Sequence, residues 1–188
     1  MIIPGERVLL RPIRPDDYPT IVAWSNDPQV NEYIEGDYPR TLEACPARYE
    51  DGRANRYSQR YAIVTHDDER LIGDIELDHI AWRSGDAELR IRIGAKEYWD
   101  QGYGTDAVMA LVRHAFGRMN LSRIYLRVFS ENQRAIRCYE KCGFRKEGRI
   151  TRRGPDGTPT RVYLMRLLRE EVDAGKRRNA RPKPSRSA

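Results

Sequence analysis

Two glycines near the middle of the sequence could form a binding site for an anionic cofactor. Gly102 and Gly104 lie just before a helical pattern. Glycines allow successive backbone N–H groups to point into one concavity, and the dipole of the following helix favours negative charge there. The amides predicted to hold a pyrophosphate are those of Gln101, Gly102, Tyr103, Gly104 and Thr105.

The same loop also fits the fingerprint of a dinucleotide-binding fold, with Ala107 in the third position. A doubly wound fold places this loop after its first strand and needs several βα units after it. Here three antiparallel-type strand patterns precede the loop, and 81 residues follow Ala107 (188 minus 107). Its position therefore disfavours the dinucleotide fold, and a purely structural glycine turn stays a second alternative.

Hydrophobic periodicity predicts the elements that position the loop. Alternating apolar residues predict a hairpin over 61–65 and 71–80, and then a strand over 87–93. That strand places Leu89, Ile91 and Ile93 on one face, and Glu88, Arg90 and Arg92 on the other. The loop precedes a long helix, a strand over 124–129, a short helix to about 141 and a final hairpin turning at 155–158. Residues 26–60 suit short helices and loops that cover a cleft.

A second motif follows Gly102 by 30 positions (132 minus 102). The segment 130–144 closely resembles the Asn-x-x-Ala-x-x-x-Tyr-x-Lys-x-Gly-Phe signature of the GNAT superfamily of acyl-CoA N-acyltransferases. The residues that match it are Asn132, Ala135, Tyr139, Lys141, Gly143 and Phe144. The resemblance covers roughly residues 6–168, and it is greatest to the branch of ribosomal-protein N-terminal and spermidine acetyltransferases.

This resemblance implies an α/β (α+β) fold with a mixed, mostly antiparallel central sheet and helices on both faces. The strand before the glycine loop and the strand after its helix would splay apart and form the acyl-CoA cleft. Acetyl-CoA would be the co-substrate, without a metal, and the acetyl group would pass directly to a primary amine in a ternary complex. Backbone N–H groups of Ile91, Arg92 and Ile93 would polarise the thioester carbonyl.

The resemblance also suggests which side chains carry the chemistry. The amine must lose a proton, and Glu88 is the first candidate for the base, through water. Tyr139 matches the general acid that protonates the departing thiolate. Asn132 matches the side chain that binds the pantetheine arm, although a helix N-cap is its alternative. Arg134 is a candidate for the adenosine phosphates.

The acceptor is less defined by the sequence. Glu76 and His79 are rival bases and candidate substrate contacts. Alternation places Asp74, Glu76 and Asp78 on one face of the strand. They could form an acidic wall that attracts a cationic amine, or they could belong to an ordinary solvated sheet face without a role in binding. A protein N-terminus, a polyamine and an aminoglycoside all remain candidate acceptors, with a preference for a protein or peptide amine. A non-catalytic acyl-CoA-binding module is a further alternative.

Two positions depart from the resembled family. Trp99 stands where many members have Gln or Arg, and Asp100 stands where they have Gly. The carboxylate of Asp100 would lie beside the cofactor phosphates and weaken binding unless it turned outward.

The net charge of +6 comes from 34 basic and 28 acidic residues. Residues 174–188 contain six basic residues and no acidic one, so residues 1–173 are neutral. The composition predicts one acetyltransferase domain over 1–173 and a disordered basic tail over 174–188, with possible weak contact to RNA or to an acidic partner. Without a signal peptide or a long apolar run, we expect a cytoplasmic protein without membrane contact. It could be a monomer or a homodimer.

Overall fold

A computed structural model describes residues 1–34, 36–50, 56–153 and 157–179. Its eight strands are β1 (Ile3–Pro4), β2 (Val8–Pro12), β3 (Gln59–Thr65), β4 (Leu71–Ala81), β5 (Asp86–Ile93), β6 (Arg123–Phe129), β7 (Arg145–Arg153) and β8 (Pro159–Leu168). The helices are α1 (Tyr18–Asn26), α2 (Pro28–Asn31), α3 (Cys45–Tyr49), α4 (Tyr103–Gly117), α5 (Gln133–Lys141) and α6 (Arg169–Asn179). The order of elements predicted from the periodicity is confirmed.

One sheet contains all eight strands, in the order β1-β2-β3-β4-β5-β6-β8-β7. Every neighbouring pair is antiparallel except β5 and β6, which run parallel. Their pairing covers only Asp86–Glu88 against Arg123–Tyr125. Beyond Glu88 the two strands separate, while β5 stays paired with β4 and β6 stays paired with β8. The expected splayed strand pair is therefore present.

The glycine loop is held by α4, whose apolar face is buried in the core. Val108, Leu111 and Val112 are fully buried, which follows from their helical spacing. Asp106 in the first turn accepts hydrogen bonds from the backbone N–H groups of Glu6, Arg7 and Val8, at 2.9, 2.8 and 3.1 Å. This carboxylate ties the turn between β1 and β2 to the start of α4.

The segment 18–50 lies over the opposite face of the sheet. Trp24 of α1 packs so closely on the end of β5 that a Cβ on Gly94 would lie 2.0 Å from its ring. Only glycine fits there. The side chain of Arg92 in β5 donates to Ser25 Oγ of α1 at 3.0 Å, so a charged residue of the sheet is buried under this cover.

Helix α6 extends to Asn179, and residues 180–188 lie outside the described residues. The predicted turn at 155–158 also falls partly outside them. The domain over 1–173 and the disordered tail over 174–188 stay predictions. Within the described ranges, no helix is long and apolar enough to cross a membrane.

Candidate active site

A cavity of about 250 Å³ opens where β5 and β6 separate. Its walls are β5 over 88–93, β6 over 127–129, the glycine loop and the first turns of α4, and one side of α5. Residues following α2, including Tyr33 and Tyr38, cover its other end. Both sequence motifs therefore face the same cavity, at the point where the fold leaves a strand edge unpaired.

The glycine loop has the conformation that an anion site requires. Gly102 adopts a left-handed conformation (φ +86°) and precedes α4 without a side-chain cap. The N–H of Asp106 is bonded to the carbonyl of Gly102 at 3.0 Å. Tyr103, Gly104 and Thr105 lie in the first turn, where backbone N–H groups have no acceptor within the helix. Three amides are therefore available to a phosphate.

Arg7 is a neighbour of this loop that the motif did not reveal. Its Nη1 donates to the carbonyl of Gln101 at 2.6 Å, and its guanidinium lies 3.8 Å from the ring centroid of Tyr103. Because Asp106 fixes the backbone of Arg7, a permanent cation stands at the loop. Gln101 and Tyr103 themselves are absent from the cavity lining within the described residues.

The two unconventional positions both have structural explanations. Asp100 lies in the left-handed region (φ +58°), where glycine is favoured and where Asp is among the tolerated exceptions. The indole N–H of Trp99 donates to the carbonyl of Ile93 at 2.7 Å. The guanidinium of Arg134 stacks 3.7 Å from the Trp99 ring centroid. Trp99 therefore closes the end of β5 and positions Arg134 at the cavity.

Fewer peptide groups of β5 face the gap between β5 and β6 than the sequence predicted. Arg92 pairs with Asp74, and a Cβ on Gly73 would lie 2.2 Å from the Arg92 carbonyl oxygen, so the peptide groups of Arg92 face β4. Peptide groups alternate sides along a strand. Ile91 and Ile93 therefore present their peptide groups to the gap between β5 and β6. The prediction that the N–H group of Arg92 also faces this gap is wrong.

Tyr139 and Asn132 occupy opposite ends of α5 and both line the cavity. Asn132 caps the helix, accepting from the N–H of Ala135 at 3.1 Å, which leaves its amide nitrogen for a ligand. The Tyr139 ring is buried and packs at 5.9 Å against Phe144. Burial raises the pKa of the Tyr139 phenol above its ordinary range, so it stays protonated, as a general acid must.

Beside them, Cys138 also lines the cavity. Thr105 Oγ1 donates to its sulfur at 3.4 Å. A hydrogen bond from Cys142, the largest cause, lowers the pKa of the Cys138 thiol, against the opposing effect of burial.

Glu88 reaches the cavity but is enclosed by cations. Arg127 donates Nε to Oε1 at 2.8 Å and Nη2 to Oε2 at 2.9 Å, and Arg90 Nη2 donates to Oε2 at 2.9 Å. His79 Nδ1 lies 3.3 Å from the same Oε2, and its side chain is 61% exposed. His79 thus links a buried carboxylate (3% exposed) to solvent.

The predicted acidic wall is wrong, because arginines neutralise it. Glu76 is buried and contacts Arg48 and Arg60, each at 2.9 Å, so it does not line the cavity. Asp74 accepts two hydrogen bonds from Arg92, at 2.9 and 2.6 Å. The face is also covered by 18–50, so the alternative of a solvated sheet face is equally wrong. Asp74 and Glu76 face Arg92 and Arg90 across the strands, which offsets their attraction for a cation.

Such a site, an open strand edge joined to a phosphate loop, defines an acyl-CoA-dependent acyltransferase. The sequence model described as Acetyltransferase (GNAT) domain matches residues 7–145. The chain belongs to this family, and it is an N-acetyltransferase that moves an acetyl group to an amine. The family uses acetyl-CoA.

Relatives agree with this assignment. The chain is 27% identical over 174 residues to an uncharacterized N-acetyltransferase p20 of Bacillus licheniformis, covering 88% of this chain and 95% of that protein. It is 32% identical over 146 residues to spermidine N(1)-acetyltransferase of Escherichia coli, covering 76% and 75%. A crystal structure of spermidine N-acetyltransferase from Vibrio cholerae in complex with CoA and spermine has a TM-score of 0.80 and 25% identity, covering 88% of this chain and 98% of that one.

Proposed function

We propose that this chain transfers the acetyl group of acetyl-CoA directly to the primary amine of a peptide or small molecule. The observation that carries the proposal is the cavity that joins the unpaired edge of β5 to the glycine loop and to Tyr139. The pyrophosphate binds the amides of Tyr103 to Thr105, with Arg7 and Arg134 nearby. The thioester carbonyl lies along Ile91 and Ile93, and Asn132 holds the pantetheine arm.

Proton transfers accompany the attack. The amine nitrogen forms a bond to the carbonyl carbon, and the carbon–sulfur bond breaks. Tyr139 donates its proton to the departing sulfur. The proton lost by the amine passes through water to Glu88, and His79 relays it to solvent. Because burial raises the pKa of the Tyr139 phenol, the protonated form is favoured again at neutral pH after each transfer.

A polyamine is a second candidate acceptor. The specific support is the similarity to relatives named spermidine N(1)-acetyltransferase. Neutralisation of Asp74 and Glu76 weighs against it, because a polycation gains from uncompensated carboxylates. The cytoplasmic location and the oligomeric state stay predictions.

Release of free CoA thiol tests the proposal across peptides, polyamines and aminoglycosides. We expect turnover with at least one primary amine, and product carrying one acetyl group by mass spectrometry. Acetyl-CoA that binds but is never consumed would favour a non-catalytic acyl-CoA-binding module. A chain that fails to bind acetyl-CoA would refute the proposed site.

A further inference from the structure

The charge accessible from the acceptor end of the cavity is cationic. Arg90 and Arg127 line it with side chains that are 24% and 31% exposed. Of the carboxylates that pair with them, Glu88 is 3% exposed and Glu76 is 5% exposed, so both lie underneath, and the more exposed Asp78 (22%) lies outside the cavity lining. A ligand that enters from this side therefore meets guanidinium groups before it meets a carboxylate.

Arg127 retains free hydrogen-bonding capacity. Its contacts with Glu88 use Nε and Nη2. Among the described residues, Nη1 has no hydrogen-bond partner, so an edge of the planar guanidinium remains open. A guanidinium can bind one carboxylate along one edge and a second carboxylate along another, because its five donors lie in one plane.

This open edge is separate from the cations on the phosphate side. Arg134, Arg137 and Lys141 line the cavity from α5 and the glycine-loop end. Arg127 instead projects from β6, two residues beyond the last β5–β6 pairing at Tyr125. Near it, Tyr33 packs on Phe129 with ring centroids 6.2 Å apart, which gives the acceptor end an aromatic wall.

We propose that the acceptor amine bears a carboxylate, which binds the open edge of Arg127 with support from Arg90. This inference rests on the proposed function and specifies its substrate class. A carboxylate can accept two parallel, charge-assisted hydrogen bonds from the planar guanidinium group. A polyamine brings positive charge to the same guanidinium groups and is repelled. The acceptor is thus an amino acid or an acidic peptide.

Matched acceptor pairs that differ only in a carboxylate or a carboxamide test this assignment. The pairs are glycine with glycinamide, β-alanine with β-alaninamide, and amidated Ala-Asp with amidated Ala-Asn. We expect the carboxylate member of at least one pair to have a kcat/KM at least about tenfold higher, mostly through KM. The kcat/KM of the preferred carboxylate should also exceed that of spermidine.

Arg127→Gln should reduce the preference for the carboxylate member over the carboxamide member to within about twofold. Arg127→Lys keeps the positive charge but loses the planar guanidinium, so it should retain part of this preference. The control is Arg123→Gln on the same strand. Arg123 is similarly exposed (33%), pairs with Glu147 at 2.6 Å and lies outside the cavity lining. Its substitution should leave the preference intact. Thermal unfolding and acetyl-CoA affinity verify that each variant is folded.

Three results would overturn the inference. The wild-type protein could prefer each carboxamide, acetylate spermidine but no carboxylate-bearing amine, or keep its preference in a folded Arg127→Gln variant. All three would leave the acetyltransferase proposal standing, because acetyl-CoA would still be bound or consumed. Loss of acetyl-CoA binding in the wild-type protein would instead refute the proposed function itself.

Discussion

Replacing Tyr139 with phenylalanine isolates the proposed acid step, because the change removes one oxygen atom from the cavity wall. No hydrogen bond joins the Tyr139 hydroxyl to another described residue, so no buried partner is left unsatisfied. The ring contact with Phe144, at 5.9 Å between centroids, should survive. We therefore expect the free energy of unfolding to change by less than about 1 kcal/mol, typical of a conservative change without a lost hydrogen bond.

The effect on turnover should be far larger than the effect on folding. A positioned general acid contributes roughly 10²–10⁴-fold, or about 3–5 kcal/mol of the activation barrier. The Tyr139→Phe variant should lose this factor in kcat while the KM for acetyl-CoA stays within about threefold. Because burial raises the pKa of the phenol, deprotonation of Tyr139 should not limit wild-type kcat at neutral pH.

Thiol release under saturating acetyl-CoA measures kcat, and urea titration measures stability. Tyr61→Phe is the matched control, since Tyr61 is equally buried but lies on β3 outside the cavity lining. It loses a hydrogen bond to Gln59 and should lose some stability, with kcat unchanged. Unchanged kcat in a folded Tyr139→Phe variant would refute the acid role. A rise in acetyl-CoA KM alone would make Tyr139 a binding residue.

Three further predictions concern charged or ionisable groups. Asp74→Asn leaves the Arg92 guanidinium buried without its charge partner, so unfolding free energy by urea titration should fall by roughly 3–5 kcal/mol; a loss below about 1 kcal/mol would contradict the pairing. Asp100→Asn and Asp100→Gly both remove a carboxylate near the phosphate site at a left-handed position, and both should lower acetyl-CoA KM severalfold at low salt. A larger fall in this KM for Asp100→Gly than for Asp100→Asn would indicate backbone strain instead. Iodoacetamide should alkylate Cys138 faster as pH rises, and at a lower pH than an ordinary thiol, because only the thiolate reacts. Acetyl-CoA should protect it, and equal labelling in Cys138→Ser would identify another thiol.

Local patterns predicted most of the fold and the cofactor end of the site. The strand over 87–93, the glycine loop and the helix after it follow from periodicity and from glycine chemistry, which act within a few residues. The N-cap role of Asn132 and the left-handed Gly143 (φ +91°) are likewise local. Such features need no knowledge of what packs against them.

The acceptor end could not be predicted in the same way. The alternation of Asp74, Glu76 and Asp78 is visible in the sequence, but their neutralisation depends on strand register. In the sheet, Asp74 pairs with Arg92 and Glu76 pairs with Arg90. A shift of one residue would have moved these carboxylates to the other face. The cover formed by 18–50 is also a tertiary feature, because its short helices have little periodicity of their own.

The Glu88–Arg127 ion pair crosses the cleft just where backbone pairing stops. Register places Asp78 directly opposite Glu88 on β4, and two like charges in that position repel. Arg90 contacts both carboxylates, at 3.3 Å and 2.9 Å, and Arg127 adds a second cation to Glu88. If β5 and β6 had stayed paired, Arg127 would lie opposite Arg90, so the separation that opens the cavity also lets Arg127 reach back to Glu88. The two arginines therefore both offset the charge repulsion, and Arg127 also bridges the split in the sheet.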